Sequence, residues 1–410
     1  MSLSSNRPGR IASYLAVLRY RDFRLLCASS VFDALGFMGE NVVLGWTVLT
    51  ITDSPLMVGL GLGLRSAPAF FLGLFAGAIT DAVDRRRLMR LLDVGSAVIA
   101  VAIAFLLISD RAQLWQIFTL TVFSGVIGTI YQTARASFAY DVVGPTNVLS
   151  GLAYVSMAMR LGGAAGALIA GLVLSQFGPG PGYLVLAGGY MASASILLAV
   201  RSPGQAAPRH TQPILRNLKE FFSELRVNDS LLTLVFIVGL VEVLGFSTQA
   251  LMPSLARDVL GVGAAGLGVM GALASGGGFG ALVLISLFGP VPRQGLAFML
   301  TLFVFGGSLL ILGFATTFFV ALLGILIMSG MMALSDLFTQ SLAQRVVPNA
   351  LRGRAMGAWM VAVGTAPVGN LQIGALASAF GVTVALASHG IGLIALGALA
   401  LLTFRKLRRL

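Results

Sequence analysis

The sequence predicts an all-α polytopic membrane protein with twelve transmembrane helices in two pseudo-symmetric six-helix halves. Three observations predict it. Of 410 residues, 57% are hydrophobic and only 10% are charged, against about 25% charged in an ordinary soluble domain. Apolar segments that reach or approach the roughly 20 residues needed to span a bilayer recur along the whole chain. The basic residues between them gather in alternate connections, on one side of the predicted membrane.

The segments run about 23–50, 56–80, 88–109, 113–140, 147–175, 183–200, 230–256, 264–289, 294–314, 317–344, 352–380 and 383–404. Arg7, Arg10, Arg19, Arg21 and Arg24 lie before or at the start of the first. Arg85, Arg86, Arg87 and Arg90 follow the second, and Arg293 lies between the eighth and ninth. Arg345, Arg352 and Arg354 flank the connection into the eleventh, and Arg405, Lys406, Arg408 and Arg409 follow the twelfth. The opposite side carries little more than Arg111 and Arg257. The asymmetry predicts a multi-pass membrane protein with both termini cytoplasmic. It also accounts for the net charge of +12 through the lipid bilayer as partner, without nucleic acid. The 51 glycines suit helices that pack through small residues. A single cysteine, Cys27, excludes an intrachain disulfide and a cysteine-based metal site. No cleavable signal is expected, because the first apolar run continues into a multi-span pattern.

The one long connection, 201–229, divides the chain into an N-terminal half (1–200), a linker and a C-terminal half (230–410). Its second part places Ile214, Leu215, Leu218, Phe221, Phe222 and Leu225 on one helical face, with Arg216, Lys219, Glu220 and Arg226 elsewhere. That pattern predicts a helix lying on the inner membrane surface; a soluble partner helix is the alternative. The halves also echo each other. Asp33-Ala-Leu-Gly-Phe37 in segment 1 reads like Glu242-Val-Leu-Gly-Phe246 in segment 7, 209 residues on. Val142-Val-Gly-Pro145 reads like Arg345-Val-Val-Pro348, 203 residues on. Two echoes at nearly one offset predict duplicated six-helix units.

Charges inside spans are costly and mark functional sites by default. Asp33 falls near mid-bilayer in segment 1 and Glu242 at the matching depth in segment 7. Glu40 shares a face with Asp33 and stands close enough to the outer surface to be solvated. Asp336 lies in segment 10, Arg65 in the outer half of segment 2 and Arg160 near the middle of segment 5. Ion pairing would make these six a structural network. Four acids against two arginines leave an excess, however, and burial without a counter-charge favours the neutral acid. The expected proton and substrate residues are therefore Asp33, Glu40, Arg65, Arg160, Glu242 and Asp336, with Asp33 first as proton carrier and Glu242 and Asp336 next.

Between segments 2 and 3 stands Gly77-Ala-Ile-Thr-Asp81-Ala-Val-Asp84-Arg85-Arg86-Arg87. It predicts a tight turn, with Gly77 permitting close backbone approach and the arginines held in the cytoplasm. The stretch resembles the loop signature of the major facilitator superfamily, with Ala82 where a basic residue is usual and Asp84 in place of Gly. Its Asp-Arg-Arg-Arg variant resembles the branch containing enterobactin exporters and macrolide-efflux proteins. The resemblance covers about residues 20–405 and implies the major facilitator fold, in which a substrate site lies near the midplane between the halves. It further implies a cytoplasmic gate built from Gly77, Asp81, Asp84, Arg85 and Arg86. Asp81 would face Arg352 and Arg354 at the start of segment 11, and Asp93 and Arg135 would extend the network.

Gly162-Gly-Ala-Ala-Gly166-Ala-Leu-Ile-Ala170-Gly171 in segment 5 reads as a close-packing face. It also resembles a motif of drug:proton antiporters, with Ala167 where that motif has Pro. Pro367, Gly364 and Gly369 give segment 11 the ingredients of flexibility. Gly276-Gly-Gly-Gly-Phe-Gly280 reads as packing, His389 as a packed or hydrogen-bonded histidine, and Met328, Met331 and Met332 as gap fillers. No nucleophile–base–acid constellation points to an enzyme, and no cofactor or metal is expected. The resemblance implies a secondary transporter of a bacterial inner membrane that exports a small amphipathic molecule, drug-like or siderophore-like, in exchange for protons; a monomer is expected. A lysophospholipid flippase, a nutrient importer, a metal exporter and a non-transporting membrane sensor are the alternatives.

Overall fold

A chain this apolar satisfies its backbone polar groups along helices. The computed structural model describes residues 17–144, 147–202, 204, 229–288, 291–346, 359–404 and 408, and among them there is no strand. Twelve helices are long and apolar enough to cross a membrane. In the first half they are α1 (Arg21–Thr52), α2 (Pro55–Ala82), α3 (Arg85–Ile108), α4 (Leu114–Val143), α5 (Val148–Phe177) and α6 (Pro179–Leu198). In the second half α7 begins at Asp229, followed by α8 (Gly263–Phe288), α9 (Gln294–Gly313), α10 (Phe318–Arg345), α11 (Trp359–Phe380) and α12 (Val382–Thr403). The amphipathic helix expected in the linker lies outside the described residues.

Two boundaries move for local reasons. Helix α3 starts three residues before the expected Leu88 because the Asp84 carboxylate accepts the Arg87 backbone N–H at 3.0 Å and caps the helix. Helix α6 starts at Pro179, directly after Gly178 with its left-handed φ of 84°, because proline suits a first helical turn.

The seventh segment differs more. Expected as one unbroken span, α7 is regular only to Leu244. It continues as a 3-10 stretch (Phe246–Leu251), a short α turn (Met252–Ser254) and a π turn (Leu255–Val259). Gly245 at the break packs on Phe305, where a Cβ would stand 2.6 Å from a ring carbon. Pro253 then offers no N–H to continue the ladder. The freed carbonyls find other partners: Ser247 donates to Val243 O at 2.5 Å, Thr248 to Gly245 O at 2.5 Å, and His389 Nδ1 lies 3.1 Å from Leu244 O. Helix α11 changes course at Gly364–Thr365, next to Pro367, where the sequence placed its flexibility.

Within the first half, α1 packs on α5 and α6, α3 on α6, and α2 on α4. Within the second, α7 packs on α11 and α12, α9 on α12, and α8 on α10. These are the same pairs shifted by six helices, as an internal duplication requires. The halves meet through α2 with α11 and α5 with α8, again a pair related by that shift.

Among the described residues that contact is confined to one face of the bundle. Call the face carrying the α2–α3 turn the turn face and the other the far face. Toward the far face the backbones touch: a Cβ on Gly374 would stand 2.8 Å from Pro55 O, and one on Gly171 would stand 2.6 Å from the Gly268 Cα. Toward the turn face, a Cβ on Gly73 or Gly77 of α2, or on Gly276 or Gly280 of α8, would meet no described atom within 4 Å. The close approach expected at Gly77 is therefore absent among the described residues, which part on that side.

Candidate functional site

The parted halves leave a cavity of about 460 Å³ in the turn-face half of the bundle. Its walls include Cys27 and Val31 of α1, Met157, Arg160 and Leu161 of α5, and Phe279 of α8. Arg160 is its one charged lining residue among those described. The guanidinium lies against Gly278 of α8, in space a side chain there would fill. It faces the Asp336 carboxylate of α10 across the two halves, with no hydrogen bond to a described residue.

Helix α1 presents two acids to the first half, and each has a dedicated arginine. The Glu40 Oε2 atom accepts Arg65 Nη2 at 3.0 Å, Ser124 Oγ at 2.9 Å and Tyr190 OH at 3.1 Å. Arg65 also donates to Phe37 O at 2.9 Å and to Asn41 Oδ1, and stacks over the Phe37 ring at 4.2 Å. Both partners are buried, Glu40 at 4% exposure and Arg65 at 7%. This corrects the expectation of a solvated Glu40. The α1–α2–α4–α6 packing covers it, and a buried acid so bonded is a structural tie.

Asp33 accepts Arg135 Nη1 at 2.8 Å, and Arg135 also reaches Gln132 and the face of Tyr131. Tyr131 OH lies 3.3 Å from Ser193 Oγ, which donates to Asp93 Oδ2 at 2.7 Å. Asp33, Arg135 and Asp93, expected in two separate groups, thus form one buried chain across α1, α4, α6 and α3. Asp93 Oδ1 has no partner among the described atoms.

Among the described residues the second half shows no such ties. Glu242 of α7, three residues before the break, is buried at 4% exposure and bonds to no described residue. The charge acting on it is Asp336, of like sign. Arg160 is the cation that acts on Asp336, and none acts on Glu242 among the described residues.

At the turn face, Arg85 bridges Asp81 Oδ1 at 2.8 Å and both oxygens of Asp141 at 2.7 Å. It ties the α2–α3 turn to the end of α4. Arg86 donates to Val200 O at 2.8 Å, and Gly204 rests on the Arg85 backbone, so the start of the linker is seated on the same turn. Asp81 keeps 54% of its side chain exposed. Its expected partners Arg352 and Arg354 lie outside the described residues. Sequence reasoning missed Asp141; an acid at a helix C-terminus, against the dipole, was the available signal. It also missed Tyr131, Ser193, Ser124 and Tyr190, whose hydroxyls carry no charge to draw notice.

A family profile described as transmembrane secretion effector matches residues 12–409. The chain is 26% identical over 384 residues to the enterobactin exporter EntS of Shigella boydii serotype 4, covering 92% of this chain and 89% of that protein. To EntS of Escherichia coli O1:K1 it is 25% identical over 381 residues, with the same coverage. Among solved structures, the nucleoside transporter NupG superposes with a TM-score of 0.77 at 10% identity, over 94% of this chain and 99% of that one. A bacterial homologue of the human lysosomal transporter Spinster, inward-facing and occupied, superposes with a TM-score of 0.73 at 15% identity, over 95% and 98%. At these identities the structural likeness is one of fold.

Proposed function

The chain belongs to the transmembrane secretion effector family of the major facilitator superfamily, and on that premise we propose that it exports a small amphipathic compound in exchange for protons. The observation that carries this reading is the asymmetry of the two faces among the described residues: in contact at the far face, parted around a largely apolar cavity at the turn face. With the arginine-rich turn face in the cytoplasm, this arrangement is the inward-open half of an alternating-access cycle. The apolar walls suit the body of an amphipathic cargo, and Arg160 orients a polar group of it.

We place the coupling proton on Glu242, ahead of Asp33. Ionised Asp33 and Glu40 each hold a hydrogen-bonded arginine, so protonating either one forfeits an ion pair. Glu242 has nothing to lose, and a bare charge at such depth costs about 2.5–3.5 kcal/mol on insertion scales. Protonation relieves that cost and the repulsion from Asp336. Proton entry from the outer side then favours return of the unloaded carrier, while release to the cytoplasm restores the charged, cargo-accepting site. The test is twofold. A thermal-shift screen of the purified protein identifies a stabilising compound. Its flux is then followed in proteoliposomes with and without an imposed pH gradient. Accumulation against its concentration gradient only when the pH gradient is present is the expected result; equal flux in both conditions refutes proton coupling.

A further inference from the structure

The basic residues avoid the far face, where among the described residues only Arg111 and Arg257 stand. Arg257 is used there in a specific way. It belongs to α7 of the second half, yet its Nη1 donates to Leu49 O of α1 at 3.1 Å and its Nη2 pairs with Asp53, the residue that ends α1. Its Nε is held by Asp258 at 2.6 Å. Leu49 O is one of the last carbonyls of α1, at the negative end of the helix dipole, with a second lone pair free to accept. Asp53 adopts a left-handed conformation, φ 49°, and returns its own N–H to the same carbonyl at 2.9 Å. Two turns deeper, Gly45 of α1 lets Pro253 of α7 seat against it, where a Cβ would stand 2.7 Å from the proline ring. The π turn Leu255–Val259 carries Arg257, and single π turns inside helices recur at functional sites.

We propose that Arg257 is the latch of the far face, a positioning residue for transport that fastens α7 onto the end of α1. The inference rests on the alternating-access reading above. The bonds to Leu49 and Asp53 join different halves and exist only while the far face is closed. The bond to Asp258 stays within one helix and keeps the guanidinium aimed in either state. A contact present in one state and absent in the other shifts the balance between them. Losing it raises the far-face-open population without demanding any change inside either half.

The full-length protein offers its own reporters. Cys27, its only cysteine, lines the turn-face cavity. Asn370 of α11 lies in the far-face seam, its Cβ close to Gly63 of α2. In one set of proteins N-ethylmaleimide alkylates native Cys27; in the other, Asn370→Cys is the target in a Cys27→Ser background. Arg257→Ala is expected to speed alkylation at position 370 about five- to tenfold, the effect of losing two partly exposed bonds of modest net strength, without speeding Cys27. Asp53→Asn, which tolerates the left-handed conformation, is expected to act in the same direction by less, and Arg257→Lys to fall between. Unchanged alkylation at position 370 in both Arg257→Ala and Asp53→Asn overturns the latch. If Arg257→Ala speeds both positions, the fastening stands but the halves loosen at both faces together, which contradicts alternation itself.

Discussion

Buried arginines and acids in this protein divide by what they touch. Glu40 and Arg65 are closed into a set of hydrogen bonds with Ser124, Tyr190, Asn41 and the Phe37 carbonyl. Removing one charge leaves the other buried without its counter-ion, which typically costs about 3–5 kcal/mol. Glu40→Gln is therefore expected to lower the thermal midpoint markedly, whereas Glu242→Gln, which strands no partner, is expected to leave it unchanged or raise it. Thermal unfolding of the purified variants, followed by intrinsic fluorescence, makes the comparison; equal losses contradict this division of roles. The sequence supplied these charged residues and their depths, but not their pairing. Asp33 and Glu242 occupy matching positions in an echoed motif. The stretch that lies 203 to 209 residues beyond Arg135, from Phe338 to Gln344, contains no basic residue. That absence separates a tied acid from an untied one, and it becomes meaningful only once α4 is seen beside α1.

At the scale of the helix, small residues decide which surfaces can meet. On α5, Gly162 and Gly166 face α1, where side chains would collide with the Val31 and Leu35 carbonyls, while Gly171 faces Gly268 of the other half. The first two hold a half together and the third serves the seam. Gly166→Val is expected to destabilise the fold and reduce the amount of protein in the membrane. Gly171→Val is expected to leave the fold intact and wedge the far face open, raising alkylation of Asn370→Cys in a Cys27→Ser background. Loss of folded protein in both variants, read from size-exclusion profiles and thermal unfolding, contradicts the distinction. The small-residue run was legible in the sequence as a packing face. The break in α7 was not read from the sequence, although Gly245 and Pro253 stood there as signals; the ring of Phe305 against Gly245 shows where the helix yields. The turn at Gly364–Thr365 was legible because Pro367 announces it.

The whole molecule repeats one six-helix plan and departs from it where transport needs asymmetry. Helix pairs recur with a shift of six, and the two seams, α2–α11 and α5–α8, are equivalents. Twelve spans and the duplicated plan were legible from composition, basic-residue placement and two echoed motifs. The open and closed faces were not, because a sequence compatible with alternation encodes both. What breaks the symmetry is charge. The first half neutralises its acids with Arg65 and Arg135, whereas among the described residues the second leaves Glu242 without a cation and Asp336 with the charge of Arg160 across the cavity. The account places proton coupling on that imbalance. The most direct test is flux of the compound found by thermal shift, in proteoliposomes under an imposed pH gradient, for the wild type, Glu242→Gln and Asp33→Asn. The account predicts that Glu242→Gln abolishes uphill accumulation while retaining exchange down a concentration gradient, and that Asp33→Asn loses folded protein but remains gradient-driven per folded molecule. Full gradient-driven accumulation by Glu242→Gln would contradict it.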